Sequence, residues 1–430
     1  MGHNTFFRRA AALVLTLVFA AAAALQGLAV YPMPIQTASE TEAVYLFNAD
    51  TGKELLAQNA DQPRYMASLT KMMTALLLLE SGKDLEGTVT VPTDLTQEFK
   101  DIQNANGTTM GLRIGETVRR IDLLNAMLIT NANDAASVIA WDVGGSLNAF
   151  IQQMNARAAE LGCTSTTFTC AHGLYDYGNV ASAQDMAKIA AACAANEKFV
   201  QVVGTATYTL PATNLHKEER IISSSNPLMD ASSAYYKESV KWVKGGFTTL
   251  AGRCAVAFAQ QDGHTYGLVI LGSDNLEHLY SECDELFDWA FASFAERPLV
   301  DTQTVVTTVD LTKCRTEPAV ELYAAAPVSG YGHADDKVSY SFDLPESVSA
   351  TVKNGQKLGT ATVYLDGYEV GQVDLVTHQE YVSDFRTDSR STLLLLAALV
   401  VILAALSAVT LVCGGGPLNL NRRRRMKRRR

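Results

Sequence analysis

The stretch Thr392–Cys413 holds 22 residues without a charge, and no other feature limits so strongly what the chain can become. As a helix rising about 1.5 Å per residue it reaches about 33 Å, enough to cross the hydrocarbon core of a bilayer. Ser407 and Thr410 do not spoil it, because each hydroxyl can bond a carbonyl one turn back. Residues 414–430 follow and end in Arg422-Arg423-Arg424-Arg425-Met426-Lys427-Arg428-Arg429-Arg430. Alone, such a tail suits nucleic acid or acidic lipid; beside an apolar run it reads as a stop on the cytoplasmic side. At the other end Arg8-Arg9 precedes the apolar run Ala10–Leu25, with small residues near Gly27 and Ala29. That run falls short of the roughly 20 residues of a span, so residues 1–29 read as a cleavable export signal rather than an anchor. The expectation is a body outside the cytoplasm, held to the cell membrane by one transmembrane helix at 392–413.

Of the 430 residues 48% are hydrophobic and 19% charged, ample for a packed core. The net charge of −10 is uneven: the two ends contribute ten positive charges and no acid, leaving −20 on the middle. An acidic body repels phosphate, which argues against a nucleic-acid partner. Seven cysteines without a C-x-x-C pair and seven histidines without H-x-x-x-H spacing argue against zinc, and no metal or other cofactor is expected. Export permits disulfides among Cys163, Cys170, Cys193, Cys254, Cys283 and Cys314. Cys163 and Cys170 are near enough to pair, but buried free thiols suit the pattern equally.

Two textures divide the exported part. Residues 30–296 mix helical patterns with short apolar strands: Val44–Asn48, Cys254–Ala259 and Tyr266–Leu271 read as strands. Leu69, Met72, Met73, Leu76 and Leu77 recur at helical spacing, as do Ile121, Leu124, Met127 and Leu128, then Phe150, Met154, Ala158 and Leu161. A closing helix is expected over Glu282–Ala295. After Arg297-Pro298 the pattern is all strand, at Thr304–Val309, Val320–Ala324, Val338–Phe342, Val348–Val352, Ala361–Leu365 and Val370–Leu375. Asn354-Gly355 and Asp366-Gly367 are tight-turn signals. Residues 297–381 thus form a small all-β domain without nucleophile, base or metal ligands, and 382–391 a linker to the span.

Chemistry concentrates at Ser68-Leu69-Thr70-Lys71. An apolar helix starting near Ser68 places the hydroxyl and the Lys71 amine on one face. A serine is a poor nucleophile until a base takes its proton, and a neighbouring lysine serves if it is neutral. From a reference pKa near 10.4, neutrality at pH 7 costs about 4.6 kcal/mol. Desolvation and a second nearby cation supply such a shift, and the helix N-terminus favours a developing oxyanion. A bare S-x-x-K is common; by itself it reads as a capped surface helix. No G-x-S-x-G elbow or phosphate-binding loop competes with it, and His172 and His216 read as structural, His172 as a turn residue.

The wider stretch Ala67-Ser68-Leu69-Thr70-Lys71-Met72-Met73-Thr74-Ala75-Leu76 resembles the signature of the serine D-Ala-D-Ala carboxypeptidases, the low-molecular-mass penicillin-binding proteins. Ala49-Asp50-Thr51-Gly52-Lys53 is similar to that family's first hairpin, and Asn133-Asp134-Ala135-Ala136 falls where its second motif belongs. Phe150-Ile151-Gln152-Gln153-Met154-Asn155, Leu161-Gly162, His172-Gly173-Leu174 and Ser182-Ala183-Gln184-Asp185-Met186 continue the likeness. Lys244-Gly245-Gly246-Phe247-Thr248, with Ala251-Gly252-Arg253-Cys254 after it, stands at the third motif. The resemblance implies an α/β fold: a penicillin-binding, β-lactamase-like transpeptidase domain (an antiparallel sheet with a helical subdomain), then the all-β domain and the C-terminal transmembrane helix.

It also implies roles. Ser68 attacks the carbonyl of the penultimate D-alanine of a peptidoglycan stem peptide, with Lys71 as general base. The N–H groups of Ser68 and Phe247 form the oxyanion hole. Asn133 holds the substrate amide and Lys244 attracts the terminal carboxylate. β-Lactam antibiotics would acylate Ser68. Two positions depart from the pattern. Asn131 stands where S-x-N has its serine, and an amide cannot pass a proton as a hydroxyl does, a change worth roughly 10²–10⁴ in rate if that serine shuttles protons. Gly245 replaces the hydroxyl residue of K-T-G, removing a hydrogen bond worth about 1.5–3 kcal/mol; Gly246 still permits close approach. These departures leave an alternative, a weakened pseudoenzyme that binds peptidoglycan or wall partners. A β-lactamase shares the serine and lysine but fits the β domain and tether poorly.

Overall fold

The computed structural model describes residues 31–413 apart from 38, 176, 315 and 384–388. The expected export signal and basic tail lie outside the described residues. Contacts divide the chain into two compact units at Glu296/Arg297, with Tyr331–Asp336 returning to the first.

The first unit is built on a five-stranded antiparallel sheet of β1 (Ala43–Asn48), β2 (Glu54–Gln58), β3 (Val240–Thr248), β4 (Gly252–Gln261) and β5 (His264–Ser273), in the order β2-β1-β5-β4-β3. The first and last strands of this sheet meet in its middle, because β1 pairs with β5 from Ala43↔Leu271 to Asn48↔Tyr266. Both faces are covered, which is why all six residues of β1 are buried and the strand reads as a continuous apolar run. Tyr45, Phe47, Cys254, Val256 and Val269 pack toward the helical subdomain. Val44, Leu46, Ala255, Ala257 and Leu268 pack with Leu279, Cys283, Leu286 and Phe287 of the closing helix.

The helical subdomain contains α1 (Thr70–Glu80), α2 (Arg120–Ile129), α3 (Asn133–Gly144), α4 (Leu147–Glu160), α5 (Ala183–Ala194) and α6 (Glu197–Val203). Helix α1 is central rather than amphipathic. Every residue from Thr70 to Leu76 is buried, so its polar members must find partners inside the protein. The closing helix α7 spans Leu276–Ser293 and starts six residues before its expected first turn at Glu282. Asn275 explains the difference: its side chain accepts from the His278 N–H at 2.9 Å and caps the helix there. The β4–β5 turn falls at Asp262-Gly263, both with positive φ (52° and 85°), as two-residue hairpins require.

The second unit is a six-stranded sheet of β6 (Val305–Thr312), β7 (Ala319–Ala324), β8 (Val338–Asp343), β9 (Ser347–Ser349), β10 (Lys357–Leu365) and β11 (Tyr368–Val376), in the order β8-β10-β11-β7-β6-β9. Five strands expected from sequence appear with small boundary shifts. The sixth, Val348–Val352, is broken at the buried Ala350 into two short pieces that join different partners. Val382 is paired with Thr351. The six cysteines from Cys163 to Cys314 are free thiols, so Cys163 and Cys170 do not pair. Helix α8 runs Ser389–Cys413, and its described side chains, 393–408, are exposed. Among the described residues no helix is long and apolar enough to cross a membrane.

Trp242 ties β3 to the helical subdomain, stacking on Phe258 at 4.5 Å between ring centroids and meeting the Phe199 ring edge-on at 5.5 Å. Trp242→Ala is therefore expected to cost about 3–5 kcal/mol, whereas Ile221→Ala, at a side chain 73% exposed, should stay within about 0.5 kcal/mol. Urea denaturation midpoints of the two variants test the contrast.

Candidate active site

Ser68 lies in a single 3₁₀ turn, Ala67–Leu69, that leads directly into α1. The turn is strained at its first residue: Ala67 has φ of 47°, a region an alanine rarely enters. Packing holds it there. Thr70 Oγ1 donates to the Ala67 carbonyl at 2.8 Å and accepts from Asn179 Nδ2 at 2.7 Å. From the other side Gly173, with φ of 76°, presses so close that a Cβ there would lie 1.8 Å from the Ala67 oxygen. A side chain at 173 would force this turn open.

Lys71 is fully buried. Its Nζ is 3.1 Å from Ser68 Oγ, 2.7 Å from Asn133 Oδ1 and 2.6 Å from the His172 carbonyl oxygen. The two carbonyl oxygens accept N–H bonds from the amine, and the Ser68 hydroxyl is the third oxygen within hydrogen-bond distance of it. Burial holds the Lys71 pKa well below the ordinary lysine value, and the charge of Lys244 lowers it further. Asn133 opens helix α3 and is locked in turn, its Nδ2 donating to the Thr108 carbonyl at 3.0 Å. Neighbouring Asp134 accepts N–H bonds from Met110, Gly111 and Leu112, which ties the start of α3 to the segment ahead of α2.

Edge strand β3 brings in the third segment. A Cβ at Gly246 would lie 2.7 Å from Ser68 N, so only glycine lets β3 lie against the serine's backbone. Next to it Lys244 is 1% exposed. Its Nζ donates to the Leu128 carbonyl at 3.2 Å and to Asn131 Oδ1. Asn131 has φ of 61°, a left-handed conformation that asparagine tolerates better than most residues. Its amide oxygen thus meets the Lys244 ammonium directly. Burial pushes the Lys244 pKa down to about 7. A cavity of about 230 Å³ opens along the β3 edge, with Asn131, Lys244, Gly245, Gly246, Phe247 and Arg253 in its wall.

All eight residues expected at the site, Ser68, Lys71, Asn131, Asn133, Lys244, Gly245, Gly246 and Phe247, therefore fall on three neighbouring segments: the Ser68 turn with α1, the α2–α3 loop and β3. Sequence reasoning missed one participant. His172 reads as a turn residue, but its carbonyl is an acceptor for Lys71. Its buried ring is held by Glu98 Oε1 at 2.9 Å, and Ser137 donates to that same oxygen at 2.9 Å. Only the H-G-L resemblance marked the position, because backbone carbonyls leave no residue-type signal. Among the described residues no cluster could hold a metal ion.

Comparison with known proteins fits this geometry. The D-alanyl-D-alanine carboxypeptidase family matches residues 32–275, and the penicillin-binding protein 5 C-terminal domain matches 294–383. D-alanyl-D-alanine carboxypeptidase DacF of Bacillus subtilis is 27% identical over 335 residues, covering 77% of this chain and 83% of the relative. DacC of Escherichia coli is 29% identical over 348 residues, covering 78% and 83%. Among solved structures, penicillin-binding protein 5 of Haemophilus influenzae superposes with a TM-score of 0.58 at 24% identity, over 82% of this chain and 100% of that one. At that identity the likeness speaks for the fold. A D-alanyl-D-alanine carboxypeptidase of Mycobacterium tuberculosis gives 0.53 at 26% identity, over 61% and 94%.

The buried Lys244 makes stability depend on pH in a stated direction. Between about 7 and the unfolded value near 10.4 the unfolded chain holds a proton that the folded chain has released, so stability rises with pH across that window. Below about 7 the fold carries the buried charge in full. Lys244→Met should therefore stabilise most at pH 6, by up to about 4 kcal/mol less what Asn131 loses, and progressively less toward pH 10. Thermal denaturation of both proteins across that range checks this, and an equal difference at both ends would contradict it.

Proposed function

Because this chain belongs to the D-alanyl-D-alanine carboxypeptidase family, we propose that it removes the terminal D-alanine from peptidoglycan stem peptides through an acyl-enzyme on Ser68. The observation that carries this reading is the Lys71 amine, dry and tri-coordinated, with its third partner the Ser68 hydroxyl. In the forward step the lone pair of Lys71 takes the hydroxyl proton as Oγ attacks the carbonyl of the penultimate D-alanine. No buried acid needs to move, since Asn133 and the His172 carbonyl keep the amine oriented throughout. The resulting oxyanion lies between the N–H groups of Ser68 and Phe247, on segments that Gly246 allows to touch. Lys71 then returns the proton to the leaving D-alanine, and a water hydrolyses the ester. A β-lactam, which mimics the D-Ala-D-Ala end, acylates the same oxygen.

The departures at 131 and 245 temper this chemistry without removing its centre. Asn131 still supplies an acceptor to Lys244, but it cannot relay a proton. Gly245 contributes no hydroxyl. The pseudoenzyme alternative is not favoured, since nucleophile, base and Asn133 are all in contact. The protein works, in this reading, outside the cytoplasm and anchored in the cell membrane by residues 392–413. The 22 uncharged residues, the basic tail and the exposed leucines from Leu393 to Leu406 support that placement.

Fluorescent penicillin should label the purified protein, and Ser68→Ala should abolish labelling. Lys71→Met should slow both acylation and D-alanine release by about 10²–10⁴. A wild type that stays unlabelled at high drug concentration and releases no D-alanine would refute the reading. Asn131→Ser should raise kcat/KM on a D-Ala-D-Ala peptide by at least about tenfold, given a recovered proton relay; unchanged turnover would show that this position does not limit the rate.

A further inference from the structure

The substrate of a carboxypeptidase ends in a carboxylate, and the two motifs that should receive it are poorly equipped here. Lys244 already donates to Leu128 and Asn131, and burial brings it to the edge of neutrality. Residue 245 has no side chain. A Cβ built on Gly245 meets nothing nearer than the Cys254 carbonyl oxygen at 3.8 Å, so the space beside it is open.

Strand alternation says which groups border that space. Gly245 and Phe247 share one face of β3, while Lys244 and Gly246 share the other. Phe247 is paired across the sheet with Arg253, and Gly245 with Ala255, so Arg253 projects on the face of Gly245, one position further along the edge. The Arg253 guanidinium lies 3.9 Å from the centre of the Phe247 ring, and its charge is felt at Tyr280. Phe247 is 51% exposed, and its ring face receives the guanidinium as a cation–π platform. Arg253, Gly245 and Lys244 all border the same cavity, and no acidic residue lines it, although the chain as a whole carries −10. Among the described residues no carboxylate pairs with Arg253.

We propose that Arg253, steadied on the Phe247 ring, binds the terminal carboxylate of the substrate through the open space at Gly245 and so sets the requirement for a free C-terminus. A guanidinium suits the task because it grips a carboxylate with two parallel N–H bonds and keeps its charge at any working pH. The missing hydroxyl at 245 is then the room through which the longer side chain reaches. This inference rests on the carboxypeptidase reading and adds the residue that selects the substrate's end.

The test compares two stem-peptide mimics, one ending in D-Ala-D-Ala with a free carboxylate and one with that carboxylate converted to a carboxamide, using the full chain. Arg253→Gln should lower kcat/KM on the carboxylate peptide by about 10- to 150-fold, mainly through KM, and leave the carboxamide peptide unaffected; Arg253→Lys should recover part of the loss. A second measurement needs no variant. In the unsubstituted protein the carboxylate-to-carboxamide ratio of kcat/KM should stay level from pH 6 to pH 9. The titration of Lys71 cancels in that ratio and Tyr280 is shifted upward by burial and stays neutral, whereas a Lys244 anchor would lose the preference above about 7. An unchanged ratio in folded Arg253→Gln, or a ratio that falls as Lys244 deprotonates, overturns the proposal. Failure of the underlying reading looks different: the unsubstituted protein would neither cleave the carboxylate peptide nor take up penicillin.

Discussion

The rest of the site depends on an amine kept out of water. Lys71 cannot carry its proton cheaply where it lies, and it is held between the carbonyls of Asn133 and His172 and the hydroxyl of Ser68. Each element around it serves that arrangement. The strained turn at Ala67 aims the serine, Gly173 and Thr70 hold the turn, and Asp134 and Glu98 fix the segments that bring up the two carbonyls. Such a site stores unfavourable energy in a buried amine and a left-handed alanine, and the surrounding core offsets it.

Strand β3 has two duties because its faces meet different surroundings. One face, with Lys244 and Gly246, closes on the serine turn; the other, with Gly245 and Phe247, opens to a cavity bordered by Arg253. As the edge strand of the sheet it can do both. Its neighbour β4 is buried by the subdomain on one side and α7 on the other, and so holds β3 at a fixed height. Glycine at both 245 and 246 has distinct reasons: close contact at one, open room at the other.

Much of this was legible in the chain itself. The tetrad at 68–71, the apolar spacing of α1, the central strands and the Asp366-Gly367 turn all announce themselves locally, because turns, caps and periodicity are set by neighbours in sequence. Boundaries were less legible. Helix α7 begins at Asn275, whose capping oxygen is a short polar signal easily read as loop, and the strand expected at 348–352 divides where Ala350 turns inward. At the site, side-chain chemistry was readable and backbone chemistry was not: nothing in the letters His172-Gly173-Leu174 says that a carbonyl from that loop will accept a hydrogen bond from Lys71.

Sequence alone determined the juxtaposition of Ser68 and Lys71, since they are one helical turn apart, and the uncharged run at 392–413, since hydropathy is a property of composition. Only the tertiary structure decided that Lys71 would be dry, that Asn131 would meet Lys244, and that Arg253 would stand beside Gly245. The contacts of Lys71 and Asn131 join residues 62 to 113 positions apart through a packed core, the sheet register sets Arg253 by Gly245, and desolvation and long-range contact exist only once the chain has closed around them.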